Sequence, residues 1–347
     1  MRTRGLEPPR FLRHSHLKAA CIPVSPRPQI QSQLYHLKLF NAIIIAVDFL
    51  FIILTILGLS LFEIIISIDN AIINAEVLST MQEKAKRWFT TWGIFLAVFV
   101  VRGIFPWLIV FSTNPNLGPI GALTATFSSD PRIAETIESS APILFIGGGT
   151  FLIFLFFHWL FLEPKNYGLF HEPFFHKQGA WFYAIISILL LVIVWFALQK
   201  NPILAFSAAA GSTAFFITHG FKQYAQSQEE ALVENKGLSD LSKILYLEVI
   251  DATFSVDGVI GAFAFTLSVP IIFLGNGIGS IALRNLTIRN IERIKKYRYL
   301  KNGAMYSILF LGIIMLLDSF GAHIPQWLSP ALTFITVAYF FQKSRVN

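Results

Sequence analysis

Glu63-Ile64-Ile65-Ile66-Ser67-Ile68-Asp69-Asn70-Ala71-Ile72-Ile73-Asn74-Ala75-Glu76 lies inside a strongly apolar run, yet carries three carboxylates and two amides. A second stretch answers it far downstream: Glu248-Val249-Ile250-Asp251-Ala252-Thr253-Phe254-Ser255-Val256-Asp257-Gly258-Val259-Ile260-Gly261. Overlaid, both read acid-x-x-x-Ser-x-Asp. Glu63 falls on Asp251, Ser67 on Ser255, Asp69 on Asp257 and Asn70 on Gly258. The pair reads as two halves of one ion site in mid-membrane.

The surroundings support a membrane setting. Of 347 residues, 54% are hydrophobic and 14% charged, where a soluble domain has roughly 25% charged residues. Apolar runs of about 20 residues recur from residue 39 onward, as a polytopic helical protein requires. The net charge of +7 resides mostly in short loops and the N-terminal region, so it speaks for membrane orientation and not for nucleic acid. The single cysteine, Cys21, excludes an intrachain disulfide, and no Cys/His cluster has zinc-site spacing. His171 and His176 have no further ligand near them in sequence.

Residues 1–38 carry seven Lys/Arg, one Glu and no apolar core. They read as a disordered basic tail, or as sequence ahead of a true start nearer residue 35. The membrane domain is expected over 39–347. Residues 39–81 are long enough for two spans with a tight turn near Gly58–Ser60, or for a shortened span breaking near Asp48 and one long helix. Further spans are expected near 89–112, 141–162, 180–198, 202–218, 243–267, 270–288, 303–321 and 328–342, nine or ten in all. Segment 113–140 reads as the longest external loop, and 225–242 as a polar connection between repeat halves of about 39–162 and 180–342.

Basic residues alternate between loops. Lys84, Lys86 and Arg87, then Lys165 and Lys177, Lys222 and Lys236, and the cluster Arg289 to Lys301 fall in one set with Lys343 and Arg345. The positive-inside rule places that set, and the C-terminus, in the cytoplasm. The two acidic motifs then run in opposite directions, which is the mark of an inverted-repeat, transporter-like bundle with its site near the midplane. The expected fold is thus an all-α polytopic membrane protein.

Five carboxylates, Glu63, Asp69, Glu248, Asp251 and Asp257, sit deep in expected spans. At about 2.5–3.5 kcal/mol each, their exposure to lipid would cost more than ~10 kcal/mol. They must face protein or water and be paired, protonated or metal-bound. Glu63, Ser67, Asn70 and Asn74 share one helical face, while Asp69 lies about 240° round from Glu63, as Asp257 does from Asp251. Either the site is shared between two surfaces, or the helices distort at Ser-x-Asp; Gly258 and Gly261 make distortion plausible in the second copy. Carboxylate, amide and hydroxyl oxygens suit a hard divalent cation, Mn²⁺, Mg²⁺ or Ca²⁺. Arg102 either counters a carboxylate or snorkels. His158 reads as a local hydrogen-bonding group. The glycines at 147–149 and 275–279 permit close helix approach, with Asn276 a candidate to reach the site.

The paired motifs, with Arg102-Gly103-Ile104-Phe105-Pro106, the glycines at 275–279 and Asn302-Gly303-Ala304, resemble the TerC-related integral membrane proteins. The resemblance runs from about residue 48 to the C-terminus. It points to a branch of unknown function linked by similarity to tellurium resistance. It implies a fold related to the LysE exporters, a bacterial cytoplasmic (inner) membrane location and export of manganese or another divalent metal. It also implies that Glu63, Asp69, Asn70, Glu248, Asp251 and Asp257 hold the ion, to which the shared helical face adds Asn74. Ser67, Ser255, Arg102 and Asn276 would support them.

The leading expectation is therefore a divalent-cation exporter, not an enzyme. In it a carboxylate would release a proton as metal arrives. Its partners are the lipid bilayer and the cation, without nucleic acid. The alternative is a membrane scaffold recruiting cytoplasmic stress-response proteins. A remote one is an intramembrane aspartyl protease, against which Phe254-Ser255-Val256 stands before Asp257 and no Tyr-Asp occurs.

Overall fold

The computed structural model describes the backbone of residues 28–93, 95, 102–124, 131–234, 239–294 and 296–346; among these every regular element is helical. In chain order the α-helices are α1 (Pro28–Ile66), α2 (Ile68–Ser79), α3 (Glu83–Trp88), α4 (Phe105–Thr113), α5 (Gly118–Thr124), α6 (Pro131–Leu162), α7 (Glu172–Lys177), α8 (Trp181–Lys200), α9 (Pro202–Glu234), α10 (Asp240–Ala262), α11 (Val269–Ile294), α12 (Leu300–Ser319) and α13 (Leu328–Val346). A π-helical turn, Phe89–Gly93, follows α3. The chain divides into Met1–Asp48 and Phe49–Asn347. In the first unit α1 begins at Pro28, so residues 28–38 of the expected disordered tail are helical; residues 1–27 lie outside the described residues.

Among the described residues, six helical segments are long and apolar enough to cross a membrane: Ala46–Ile66, Glu135–Leu162, Trp181–Lys200, Pro202–Tyr224, Val269–Leu286 and Leu300–Ser319. Helix α10, with 23 residues, and α13, with 19, are also of spanning length, but α10 carries Asp240, Lys243, Glu248, Asp251 and Asp257.

In the second unit α6 packs against α9 and α12, α12 against α13, and α8 against α9. Phenylalanine fills the seams: Phe62, Phe151, Phe154, Phe161, Phe182, Phe215, Phe263 and Phe265 are all fully buried. Without a hydrophobic force between helices in lipid, association depends on close packing. The glycines supply it, as expected. A Cβ at Gly211 of α9 would lie 2.1 Å from the Gly147 carbonyl of α6, and one at Gly149 would lie 3.0 Å from the Gly312 carbonyl of α12.

Three expectations need correction. The chain does not turn at Gly58–Ser60 or break at Asp48; α1 runs through both and is interrupted at Ser67 (φ −96°, ψ 5°). Gly58 serves packing, since a Cβ there would meet Pro330 at 2.8 Å. Ser60 back-bonds to the Ile56 carbonyl and reaches the Gly275 carbonyl, at 2.8 and 2.9 Å. Segment 113–140 is not a plain loop: it holds a 3₁₀ turn (Pro115–Leu117), α5 and the start of α6, with proline suiting the first turns because its missing N–H has no intrahelical partner there. Segment 225–242 is helical as far as Glu234, as a continuation of α9. Residues 94 and 96–101 of the span expected over 89–112 lie outside the described residues.

Candidate functional site

Glu63, near the C-terminal end of α1, is 1% exposed and is the hub of the polar interior. Its Oε1 accepts from Arg102 Nε at 2.9 Å and from Arg102 Nη2. It also accepts from Ser67 Oγ at 3.0 Å and from Ser280 Oγ of α11 at 3.1 Å. Two glycines make room. A Cβ at Gly258 of α10 would stand 2.9 Å from Glu63 Oε2, and one at Gly279 of α11 would stand 2.7 Å from Glu63 Cβ. Gly258 thus serves close approach, because α10 continues unbroken through it.

Arg102 Nη1 lies 3.7 Å from Asp251 Oδ2, so the first acids of the two motifs converge on one guanidinium. Charges buried this deeply need such partners, since leaving one bare costs several kcal/mol. Asn70 donates to Asp251 Oδ1 at 2.6 Å. Glu248, one turn before Asp251, is 6% exposed; a Cβ at Gly93 would fall 2.2 Å from its Oε1. It is within electrostatic reach of Arg284, whose guanidinium donates to the Phe89 carbonyl at 3.2 Å and stacks over the Phe89 ring. Both oxygens of Glu248, and Oδ1 of Asn70 and of Asn74, are buried without a hydrogen-bond partner. Buried acceptors are rarely left so.

Asp257 stands apart from this cluster. It lies six residues beyond Asp251 on a continuous helix, about 9 Å along the axis and about 240° round, and it pairs with Lys222 of α9. Of the two alternatives expected for this spacing, the second copy takes the first: α10 does not unwind, and Asp251 and Asp257 stand on two surfaces of one helix. The distortion comes in the first copy, at Ser67. Ser255, buried four residues after Asp251, bonds to the Asp251 carbonyl at 2.7 Å. Asn276 is fully buried, with both amide atoms unpartnered, one turn before Ser280 on the same helix. The side chains of Asp69 and Glu76 lie outside the described residues. Among the described residues no group of three His, Cys, Asp or Glu is placed to hold a metal ion.

Lys222, Ser280 and Arg284 escaped the sequence reading. Lys222 was counted as a loop charge, yet it lies within the Pro202–Tyr224 segment. Arg284 sat inside an expected span, and its insertion cost, as high as that of a carboxylate, was the available signal. His171 and His176 do not meet: His171 Nε2 is 2.8 Å from Tyr306 Oη, while the His176 ring lies against Tyr167.

Outside the spans, the loop after α6 is pinned from both sides. Glu172 is fully buried and accepts from Gly168 N at 2.7 Å, from Asn302 Nδ2 at 2.9 Å and from Tyr306 Oη at 3.1 Å. Lys165 donates to the Trp159 and Leu160 carbonyls at the end of α6. Burial pulls the Lys165 ammonium down to about 8, against Glu172 and Glu163, which favour its charge. Burial works the other way on Glu163, but Lys301 and His158 outweigh it and hold the carboxyl well below its ordinary range.

Helices of this length and apolarity, with their charges paired inside, define an all-helical integral membrane protein. Residues 68–347 match the model of a family described as "Protein of unknown function (DUF475)", and the chain belongs to that family. It is also similar to an uncharacterized membrane protein of Rickettsia prowazekii (strain Madrid E), 25% identical over 96 residues. That match covers 28% of this chain and 32% of the relative's length. No solved structure matches the chain.

Proposed function

We propose that the protein is a transporter that exports a hard divalent cation, Mn²⁺ in the first instance, across a bacterial cytoplasmic membrane. The observation that carries this reading is the set of unpartnered buried oxygens on Glu248, Asn70 and Asn74, with Asn70 bonded to Asp251 and Glu248 one turn before it. Oxygen acceptors without donors, next to carboxylates, are the chemistry a hard cation satisfies. Arg102 then acts as the resident cation of the substrate-free state. It holds Glu63 and Asp251 until the transported ion takes its place. On this reading Asp257 is a counter-ion for Lys222 and not a ligand.

The finer architecture belongs to the same proposal: nine or ten spans, two inverted halves and a cytoplasmic C-terminus. The matched motifs at the α1–α2 junction and on α10, the charge alternation of the loops and the resemblance to TerC-related and LysE-type proteins support it. The link to tellurium resistance would be a phenotype of metal handling and says little about substrate.

Cells lacking the protein should accumulate Mn²⁺. Wild type should restore efflux, whereas Glu248→Gln and Asp251→Asn, expressed at equal level, should not. Equal restoration by both variants would remove the site from the mechanism. Elemental analysis of purified protein at rising Mn²⁺, Mg²⁺ or Ca²⁺ would identify the preferred ion.

A further inference from the structure

A second polar array runs through the protein beyond the Glu63 cluster. The imidazoles of His158, on α6, and His219, on α9, lie with ring centroids 3.8 Å apart. Aromatic rings wall them in: Phe182 packs edge-on to His158, and Phe215 stacks on His219 at 5.7 Å. At one end His158 Nδ1 is 3.4 Å from Glu163 Oε1, while Lys301 of α12 holds Glu163 Oε2 at 2.9 Å. This end opens to solvent, with the side chains of Glu163 and Lys301 29% and 38% exposed. At the other end Lys222, one turn beyond His219 on α9, pairs with Asp257, which is 6% exposed. Asp257 Oδ1 is buried with no hydrogen-bond partner, whereas His158 Nδ1 has Glu163 Oε1 at ion-pair distance. The charged groups around the histidines are thus Glu163 and Lys222, with Lys301 and Asp257 as their respective partners; α8 contributes the ring of Phe182.

We propose that this array is a proton path, in which Glu163, His158, His219 and Lys222 connect solvent at the end of α6 with Asp257 in the interior. Packing alone does not call for two imidazoles in van der Waals contact inside an aromatic wall. Histidine is the side chain whose ordinary range lets it take up and give back a proton near neutral pH. Ionisable chains inside membranes mark proton relays. A proton from water arrives on a Glu163 oxygen, and that O–H breaks as an N–H forms on His158. The imidazolium gives a ring proton to His219. Lys222 transfers one of its three protons to Asp257, and His219 replaces it. Every donor regains its starting charge, and Asp257 ends neutral, so its ion pair with Lys222 is lost. An arriving proton thereby loosens the contact between α9 and α10, which also carries Glu248 and Asp251. The inference rests on the transporter reading and adds to it a route by which Asp257 exchanges protons with water.

The test uses the full chain in liposomes with an entrapped pH dye and, separately, an entrapped Mn²⁺-sensitive dye. Proton entry is driven by a potassium-diffusion potential, with and without a Mn²⁺ gradient. Wild type should admit protons, and His158→Phe and His219→Phe should slow entry at least tenfold. Glu163→Gln, at the partly exposed end where folding is least at risk, should slow it several-fold. Unaltered proton entry in all three variants, or none by wild type in either condition, would overturn the proposal. Proton entry without Mn²⁺ movement would leave the path standing and defeat the cation reading. Mn²⁺ movement without protons would do the reverse.

Discussion

The two carboxylate centres share a motif but not a solution. Around Glu63 three helices and Arg102 converge, and one oxygen takes donors from Arg102, Ser67 and Ser280. Around Asp257 there is one lysine and an oxygen left without a partner. The first centre is held from several sides; the second depends on a single long side chain. In lipid, where water cannot compensate, a centre with one partner is the one that can change state. The difference follows from helix geometry. At Ser67, where the helix is interrupted, the hydroxyl bonds to the Glu63 carboxylate, whereas on the unbroken α10 Ser255 bonds to the Asp251 carbonyl of the backbone.

The largest effect should come from Arg102→Met, which strips the counter-ion from Glu63 and Asp251 together. A loss of about 3–5 kcal/mol is expected, the usual result of breaking a buried pair from one side. It would be read as thermal unfolding in detergent. A loss below that of Lys222→Met would reverse the ranking of the two centres.

Lys222→Met should cost less, about 2–3 kcal/mol, because its side chain is 13% exposed and can draw on solvent. Adding Asp257→Asn should recover most of that loss, as coupled partners do in a double-mutant cycle. Simple additivity would dissolve the pair.

Gly258→Ala and Gly279→Ala press a methyl group toward Glu63 and should each cost about 1–3 kcal/mol. Gly220→Ala meets nothing within 4 Å and should be neutral or slightly stabilising. Ser67→Ala should cost about 1 kcal/mol by leaving Glu63 a donor short, and Ser255→Ala less. Equal losses would mean that the interruption at Ser67 does not distinguish the copies.

The smallest effect lies outside both centres. Lys165 is held down to about 8, so between there and the ordinary lysine range the unfolded chain binds the extra proton. Stability should therefore rise as pH climbs through that window. Glu163, held low, contributes stability that is full above the ordinary carboxylate range and fades progressively as pH falls below it. Lys165→Met should flatten the alkaline rise, seen in melting curves taken from pH 7.5 to 10.

Much was legible before any coordinates. Apolar runs of bilayer length, the cost of mid-span carboxylates and the triple glycine of α6 fixed the class and the packing mode, because these depend on local composition alone. The pairing of Arg102 with an acid was one of two readings left open. What sequence could not settle was which acid each base would serve. Asp251 and Asp257 lie six residues apart and differ by about 240° of rotation, so the partner of each depends on which helix packs on that side. Lys222 looked like a loop charge because α9 runs past the end expected for its apolar run.

By itself, then, the sequence determined a helical membrane protein with two related acidic stretches and charges that had to be hidden. Only the tertiary structure decided that the stretches are not equivalent, joining Glu63 and Asp251 through Arg102 and sending Asp257 to Lys222. The physical reason is that burying a charge is a local cost, readable residue by residue. The partner that meets the cost comes from a distant helix, placed by packing.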